Sequence, residues 1–206
     1  MAPGKLITIE GIDGAGKTTL ALGLHAALRS QGADAILLRE PGGVRDAERI
    51  RELVKDPSAR IGARAEALLY AAARAQLVEE ALRPMLGAGR LVLLDRFVDS
   101  SLAYQGAGRE LGVEAVQAIN DFATGGLAPD RTILLRIDPA TGRSRSQERA
   151  KPLDRLELAG EDFFARVAAG YDRLASCEPE RFRTIDASRD RAAVLAAAVA
   201  AIEDLV

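Results

Sequence analysis

The segment from residue 11 to residue 18 reads Gly-Ile-Asp-Gly-Ala-Gly-Lys-Thr and lies between a short apolar run and an amphipathic run. Its pattern, G-x-x-x-x-G-K-[ST], lets the backbone turn so that several N–H groups face inward around polyphosphate oxygens. The lysine of the pattern reaches the β and γ phosphates, the hydroxyl ligates Mg²⁺, and the next helix directs its positive end at the same anion. We therefore predict a phosphate-binding P-loop of Gly11, Ile12, Asp13, Gly14, Ala15, Gly16, Lys17 and Thr18, with Thr18 as a metal ligand.

The alternative is a glycine-rich turn that binds nothing, and the flanking sequence counts against it. Residues 6–9 are apolar and typical of a buried strand. After the loop, Leu20, Leu24 and Leu28 recur at helical spacing. The motif thus stands between a strand and a helix, where a P-loop is expected.

Apolar runs and helical stretches alternate along the whole chain, which is typical of a parallel sheet covered by helices. Runs such as 91–94 are apolar on both faces, so they belong in a sheet that is covered on two sides. We predict a doubly wound, five-stranded α/β sheet of the P-loop NTPase type, with ligands at the carboxyl ends of the strands. The predicted strands are residues 5–10, 33–39, 90–95, 131–137 and 181–186, and the polar residues at or near their ends are Glu10, Glu40, Asp95, Asp138 and Asp186.

Several segments outside the sheet are also predictable. Residues 39–43, Arg-Glu-Pro-Gly-Gly, predict a rigid, exposed loop after the second strand. Periodicity predicts a helix over 45–54, a long Ala- and Leu-rich helix over 63–86, and helices in the tail over 161–174 and 188–206.

Composition bounds the class of protein. A chain of 206 residues with 48% hydrophobic residues fits one nucleotide-kinase-like domain over 1–206, and a net charge of −2 gives no reason to expect nucleic-acid binding. The single cysteine, Cys177, excludes an internal disulfide, suits a reducing compartment and is predicted to be a small, buried or inert residue. The single histidine, His25, cannot build a His-based zinc site. No apolar run reaches the roughly 20 residues of a membrane span, so we expect a cytoplasmic protein that binds no membrane.

The third predicted strand ends in Asp95-Arg96-Phe97. An apolar strand that ends in Asp is the Walker B arrangement, which places a carboxylate near the Mg²⁺ shell opposite Thr18. Arg96 follows at once, and a bidentate contact with a phosphate suits its guanidinium.

Two further groups of residues can form a pocket. Tyr70 and Arg74 are four residues apart on the long predicted helix, so a ring that stacks on a base and a donor to base carbonyls would share a face. Taken alone, such a pair is more often packing plus a surface charge. Ser101, Tyr104 and Gln105 lie at helical spacings in a short polar helix over 99–105, and they can read a base edge or a sugar.

These residues, taken together, resemble bacterial thymidylate kinases over essentially the full length of the chain. The resemblance implies ATP-dependent conversion of dTMP to dTDP with Mg²⁺, usually by a homodimer. The matching blocks, in chain order, are the P-loop with Asp13 and residues 39–43, 72–76, 95–97, 103–106 and 153–157.

The resemblance also implies residue roles. Asp13 would contact the sugar 3′-hydroxyl and the metal environment, Arg74 the thymine carbonyl, and Arg96 the dTMP phosphate. Tyr70 stands where the family more usually has a Phe that stacks on thymine, and Tyr104 would crowd the sugar 2′ carbon. The residues implied for dTMP are thus Asp13, Tyr70, Arg74, Arg96, Ser101, Tyr104 and Gln105, with Ser101 and Gln105 lining the base.

Residues 142–151 are polar and basic, and they predict a mobile surface loop within a lid at about 141–152. Some thymidylate kinases carry an arginine inside the P-loop, where this chain has Gly14. We therefore expect the lid to supply a cation to the transferred phosphoryl group, with Arg145 and Arg149 ahead of Arg143. Arg155 would hold the closed lid or contact nucleotide. The predicted catalytic residues are Asp13, Lys17, Arg96, Arg145 and Arg149.

Two other functions remain open at this point. Another small P-loop kinase could act on a different nucleoside monophosphate or on a small alcohol, although an alcohol acceptor would need a carboxylate base. A nucleotide-dependent switch protein is the alternative outside enzymes, but the chain lacks an Asn-Lys-x-Asp guanine reader.

Overall fold

A five-stranded, all-parallel sheet forms the centre of the protein, seen in a computed structural model that describes residues 4–148 and 155–206. The order across the sheet is β2-β3-β1-β4-β5, so the strand that leads into the P-loop is central. The predicted doubly wound α/β sheet is confirmed. Its strands are β1 (Lys5–Gly11), β2 (Ala35–Arg39), β3 (Leu91–Asp95), β4 (Arg131–Arg136) and β5 (Phe182–Asp186).

Helices cover both faces of this sheet because alternate residues of the central strands point to opposite sides. Ile7 and Ile9 belong to one buried cluster, and Leu6 belongs to the other. Ile7, Ile9 and Leu93 have no exposed surface. Side chains at strand ends, where the chain leaves this apolar layer, are therefore the ones available for chemistry.

The predicted helices are present, although the tail helix predicted over 188–206 spans only Arg191–Ala200 and a helix over Val113–Thr124 was not predicted. Two other helices differ from the prediction in part of their length. The long predicted helix runs to Gly87, but Val78–Leu82 within it is π-helical. The short polar helix begins at Val98 and continues as a π-helical segment, Leu102–Gly108, beyond its predicted end at residue 105. None of the helices in the described ranges is both long and apolar enough to cross a membrane. The α-helices are α1 (Lys17–Ser30), α2 (Arg45–Lys55), α3 (Ala63–Leu77), α4 (Arg83–Gly87), α5 (Val98–Ser101), α6 (Val113–Thr124), α7 (Pro139–Gln147), α8 (Glu161–Cys177) and α9 (Arg191–Ala200).

The loop after β2 is largely buried, so the prediction of an exposed loop is wrong. Glu40, Pro41 and Gly42 are all buried, and the Glu40–Pro41 peptide bond is cis. Burial of a carboxylate requires a partner, and Glu40 has one in Arg74, which was not expected to reach this loop. The loop is therefore part of the interior beside the active-site edge.

The start of the predicted lid is a helix rather than a loop. Asp138 follows β4, and its Oδ1 accepts hydrogen bonds from the N–H groups of Ala140 (3.0 Å) and Thr141 (3.2 Å). Pro139 occupies the first helical position, where a missing N–H costs nothing. This cap starts α7 although the segment has no strong apolar face. Arg149 and Lys151 of the predicted lid lie outside the described residues.

Cys177 is the last residue of α8 and is an exposed free thiol, so the prediction of a buried position is wrong. The helix packs through Phe163, Val167 and Tyr171, which all precede its last turn.

Candidate active site

The P-loop joins the end of β1 to the start of α1. Gly11, Gly14 and Gly16 have φ values of 140°, 81° and 93°, a region that glycine adopts without the strain of a side chain. Lys17, the first residue of α1, is 7% exposed and donates from Nζ to the Ile12 carbonyl oxygen at 2.8 Å. The loop therefore surrounds a buried ammonium group with backbone, as phosphate binding requires.

Thr18 and Asp95 meet across the ends of β1 and β3. Thr18 lies in the first turn of α1, and its hydroxyl donates to Asp95 Oδ2, at the end of β3, at 2.8 Å. Hydroxyl and carboxylate oxygens are the hard ligands that Mg²⁺ prefers, and this ion usually completes its shell with phosphate oxygens and water. The donor set therefore fits a nucleotide-bound Mg²⁺.

A cluster of Asp13, Arg96 and Tyr104 lies beside the P-loop. The Arg96 Nη2 atom donates to Asp13 Oδ1 at 2.7 Å and to the Tyr104 hydroxyl at 3.2 Å, and that hydroxyl donates to Asp13 Oδ2 at 2.8 Å. The Arg96 guanidinium also lies over the Tyr104 ring, 4.9 Å from its centroid. Three residues with predicted roles on dTMP are thus assembled next to the nucleotide loop.

Charge in this cluster shifts the pKa values of two groups. Burial alone would raise the pKa of Asp13, but Arg96 and then Lys17 outweigh it and hold that pKa well below its usual range. Burial, followed by repulsion from Arg96, lowers the pKa of Lys17 to about 8. Two cations therefore face each other across the loop, and a bound polyphosphate would relieve their repulsion.

Arg74 is the centre of a buried hydrogen-bond network. Its side chain is 2% exposed. Its guanidinium donates four hydrogen bonds to protein acceptors, and Nη2 is also in ion-pair contact with Glu40, so most of its donors are already engaged. The acceptors are Glu40 Oε2 (2.8 Å from Nε and 2.7 Å from Nη2), the Phe97 carbonyl oxygen (2.9 Å), Ser101 Oγ (2.9 Å) and Asn120 Oδ1.

The remaining predicted base-pocket residues lie near this network. Gln105 donates from Nε2 to Glu66 Oε1 at 2.9 Å. Tyr70 is half-buried and packs against the main apolar cluster. Ser101 and Gln105 are both 2% exposed, so their contacts with protein are well shielded from water.

Several residues of the site were missed by sequence reasoning. Asn120 lies inside α6 and Glu66 inside α3, and no local motif marks either one. Glu66 receives Arg109 Nη2 at 3.1 Å and Arg155 Nη2 at 2.7 Å, while Arg155 Nε donates to the Val54 carbonyl oxygen at 3.1 Å. Arg155 therefore ties the chain after the lid to α2 and α3.

The buried carboxylate of Glu10, at the end of β1, was noted from sequence only as a strand terminus. It has no exposed surface and accepts hydrogen bonds from the Phe97 N–H and from two hydroxyl groups. Burial, and then the charge of Asp99, raise its pKa to about 7, although these hydrogen bonds favour the ionised form.

Helix α7 rests directly on the P-loop through two glycines. A Cβ on Gly14 would overlap the Gly142 carbonyl oxygen, and a Cβ on Gly142 would lie 2.7 Å from the Asp13 carbonyl oxygen. Such distances are shorter than real Cβ contacts, so neither position accepts a side chain in this arrangement. Helix α7 can therefore occupy its position against the P-loop only because residue 14 has no side chain.

The lid arginines differ in what they contact. Arg143 lines a small cavity with Ile12 and Asp13, and its Nη1 is buried, 3.7 Å from Glu161 Oε1, with no hydrogen-bond acceptor among the described residues. Arg145 donates from Nη1 to the Ala187 carbonyl oxygen at 3.0 Å, so it points towards the chain after β5. Arg149 is outside the described part of the chain. The arginine ranked last from sequence is therefore the one that lines a cavity beside the P-loop.

Comparisons with known proteins agree on one family. A family model described as Thymidylate kinase matches residues 9–197. A thymidylate kinase of Deinococcus radiodurans is 50% identical over 189 residues, covering 92% of this chain and 91% of the relative. Thymidylate kinases of Lactobacillus delbrueckii subsp. bulgaricus (49% identical, 95% and 94% covered) and Caldanaerobacter subterraneus subsp. tengcongensis (46%, 98% and 96%) match over similar lengths.

The contact between α7 and the P-loop predicts the effect of Gly142→Ala. The added Cβ would also lie 2.9 Å from Ile12 Cδ1, so α7 must move away from the loop. Since a displacement of about 1 Å can cost about a hundredfold in rate, we expect kcat to fall by about ten- to a hundredfold at saturating ATP and dTMP. Gly160→Ala is the matched control, because a Cβ there meets nothing within 4 Å. Equal kcat values for the two variants would contradict the prediction.

Proposed function

The chain belongs to the thymidylate kinase family, and on that premise we propose that it transfers the γ-phosphoryl group of ATP to the phosphate of dTMP, forming dTDP. One observation in the candidate active site supports the proposal. Arg96, the cation proposed for the dTMP phosphate, lies 2.7 Å from Asp13 of the nucleotide loop. Donor and acceptor phosphates would therefore meet between Lys17 and Arg96.

Catalysis in this site rests on alignment and charge. The acceptor is a phosphate that is already ionised, so no general base is needed. Lys17 and Arg96 would hold the donor and acceptor phosphates, and their positive charge would offset the charge that spreads over the transferred group. Thr18 and Asp95 would hold Mg²⁺, which supplies further charge neutralisation on the phosphates when it is bound.

We assign the dTMP site to the residues beside this cluster. Tyr70 would stack on thymine, and Arg74, Ser101 and Gln105 would line the base. Tyr104 would crowd the 2′ position, and its hydroxyl is already engaged by Asp13 and Arg96. A buried 2′-hydroxyl without a partner costs about 1–3 kcal/mol, enough for roughly ten- to a hundredfold preference for deoxynucleotides.

We also propose that the lid supplies the cation that the P-loop lacks. Gly14 offers no side chain, and α7 lies against it. Arg145 and Arg149 lead the candidates proposed from sequence, with Arg143 behind them. The Arg143 Nη1 atom is buried without a hydrogen-bond acceptor among the described residues, and Arg143 lines a cavity with Asp13, which supports placing it beside the other two.

A homodimer is proposed as the assembly, with an exposed apolar surface on α2, α3 and α6 as its contact. Leu53, Leu68 and Phe122 are 47%, 56% and 91% exposed, one on each of these helices, and α3 packs against both α2 and α6. Exposed apolar side chains on adjoining elements are typical of a surface that another protein covers. A second copy of this chain is the proposed occupant. The proposed location is the cytoplasm, whose reducing conditions suit the single Cys177.

The proposed activity predicts that the purified chain converts dTMP to dTDP in the presence of ATP and Mg²⁺. A coupled assay that follows ADP would compare dTMP with dUMP, CMP, GMP and shikimate. We expect turnover of dTMP and none of shikimate, because Arg96 recognises a phosphate acceptor and the site offers an alcohol no base. Negligible turnover of dTMP, or hydrolysis of ATP without transfer, would contradict the proposal.

The lid proposal predicts that at least one of Arg143→Ala, Arg145→Ala and Arg149→Ala lowers kcat by about a hundredfold or more, since a cation on the transferred phosphoryl group can contribute that much. Single-turnover rates with excess enzyme would separate this loss from weaker nucleotide binding. Arg29→Ala serves as the control, because Arg29 is exposed in the last turn of α1, at the end away from the P-loop. Near-normal rates for all three lid variants would exclude the lid as the source of this cation.

The dimer proposal predicts that wild-type protein has twice the chain mass of 21.9 kDa by light scattering after gel filtration. Phe122→Asp should shift the mass towards that of one chain, because it places a charge in the proposed contact. Leu22→Asp is the control on a different helix, since Leu22 is 58% exposed on α1, which packs against α9 and β2. A monomeric wild-type protein, or dissociation by Leu22→Asp alone, would refute this surface.

A further inference from the structure

Arg96 has an unusual backbone conformation for a residue that must be aimed accurately. Its φ is 73°, in the left-handed region that side chains other than glycine seldom adopt. Such a conformation costs free energy and persists only where surrounding contacts enforce it. The Arg96 N–H is held by β1, because it donates to the Ile9 carbonyl oxygen at 3.1 Å.

The next peptide group is held by a side chain of β1. The Phe97 N–H donates to Glu10 Oε1 at 2.7 Å. The two N–H groups on either side of the Arg96 Cα are therefore both bound by consecutive residues of one strand, the first by backbone and the second by the Glu10 carboxylate. Phe97 has no exposed surface, so water cannot replace this acceptor.

The other oxygen of Glu10 reaches the Arg96 guanidinium through one hydroxyl group. Ser100 Oγ donates to Glu10 Oε2 at 2.6 Å and accepts from Arg96 Nη1 at 3.1 Å. The Tyr171 hydroxyl donates to the same Glu10 oxygen at 2.8 Å. The carboxylate thus orients the Ser100 hydroxyl, whose lone pair then receives the guanidinium.

We propose that Glu10 is a positioning residue for phosphoryl transfer, and the proposal rests on the proposed function because it acts through Arg96. Glu10 fixes the left-handed turn at Arg96 and, through Ser100, one amino group of its guanidinium. Asp13 and Tyr104 fix the other amino group. With both amino groups held, the guanidinium faces the space between the two phosphate sites in a single rotamer.

The chemistry of the three donors explains why residue 10 carries a carboxylate. A backbone N–H and two hydroxyl protons converge on its two oxygens, and each oxygen must accept. An amide in its place would direct an NH₂ group at either Phe97 or the hydroxyl pair. Either the Phe97 N–H or the two hydroxyl protons would then lose their acceptor, while the volume of the side chain stays the same.

The test is a double-mutant cycle on kcat that combines Glu10→Gln with Arg96→Lys. If Glu10 acts through Arg96, Glu10→Gln should lower kcat by about tenfold or more in the wild-type background and have little further effect beside Arg96→Lys. The KM for ATP is measured alongside, because Glu10 makes no hydrogen bond with Lys17 in the described part of the chain but its charge acts on that ammonium group. A loss confined to the KM for ATP would show action through Lys17 and would contradict action through Arg96.

Arg131→Lys is the control for a buried charged residue that only supports the fold. Arg131 is 6% exposed at the start of β4, at the end of the sheet opposite the P-loop, and donates to the Ala201 carbonyl oxygen at 2.6 Å and to Asp204 Oδ2 at 2.8 Å. Its effect on kcat should multiply with that of Arg96→Lys. Ser100→Ala removes only the hydrogen-bond path from Glu10 to the Arg96 guanidinium. This variant replaces Glu10→Gln in the cycle if Glu10→Gln does not fold.

The outcomes separate this inference from the proposed function. Non-additive loss at Glu10, or at Ser100, together with multiplicative behaviour at Arg131, supports the positioning role. Multiplicative loss at Glu10, or an unchanged kcat in Glu10→Gln, overturns it even when wild-type protein phosphorylates dTMP. Absence of dTMP phosphorylation by wild-type protein overturns the proposed function itself.

Discussion

The ion pair between Asp13 and Arg96 connects the two halves of the site. Asp13 belongs to the loop after β1, and Arg96 follows β3, so the pair spans neighbouring strands at the edge where a parallel sheet binds ligands. A partly buried pair adds little net stability, because desolvation offsets its attraction. Its value is geometric, since it sets the distance between the loop for the donor nucleotide and the cation proposed for the acceptor.

The other charges of the site are arranged around this pair. Lys17 and Arg96 repel each other in a region shielded from water, and burial already disfavours the charge on Lys17. The fold tolerates this because carboxylates of Asp13, Asp95 and Glu10 lie near Lys17. The electrostatic energy of the site is therefore lowered most when further negative charge enters between the two cations. A nucleotide site combines affinity with orientation in this way.

Sequence reasoning succeeded where a short segment determines its own structure. The P-loop glycines, the apolar strands and the Asp95-Arg96 junction are local patterns, and all of them lie where they were expected. It failed where a partner comes from far along the chain. Glu40 is buried because Arg74 pairs with it, and the sequence around residue 40 does not indicate that partner. The same holds for Asn120, an ordinary helical residue until Arg74 is placed beside it. The start of the lid is a different case, because its polar composition concealed the cap that Asp138 and Pro139 provide.

The contact between Gly14 and Gly142 has a consequence for how such sites change over evolutionary time. A side chain at residue 14 and a lid helix in this place exclude each other, since they would occupy the same space. An arginine substituted at residue 14 would displace α7, and with it Arg143 and Arg145, two of the lid residues proposed to supply the cation. The residue at position 14 and the position of the lid helix must therefore change together.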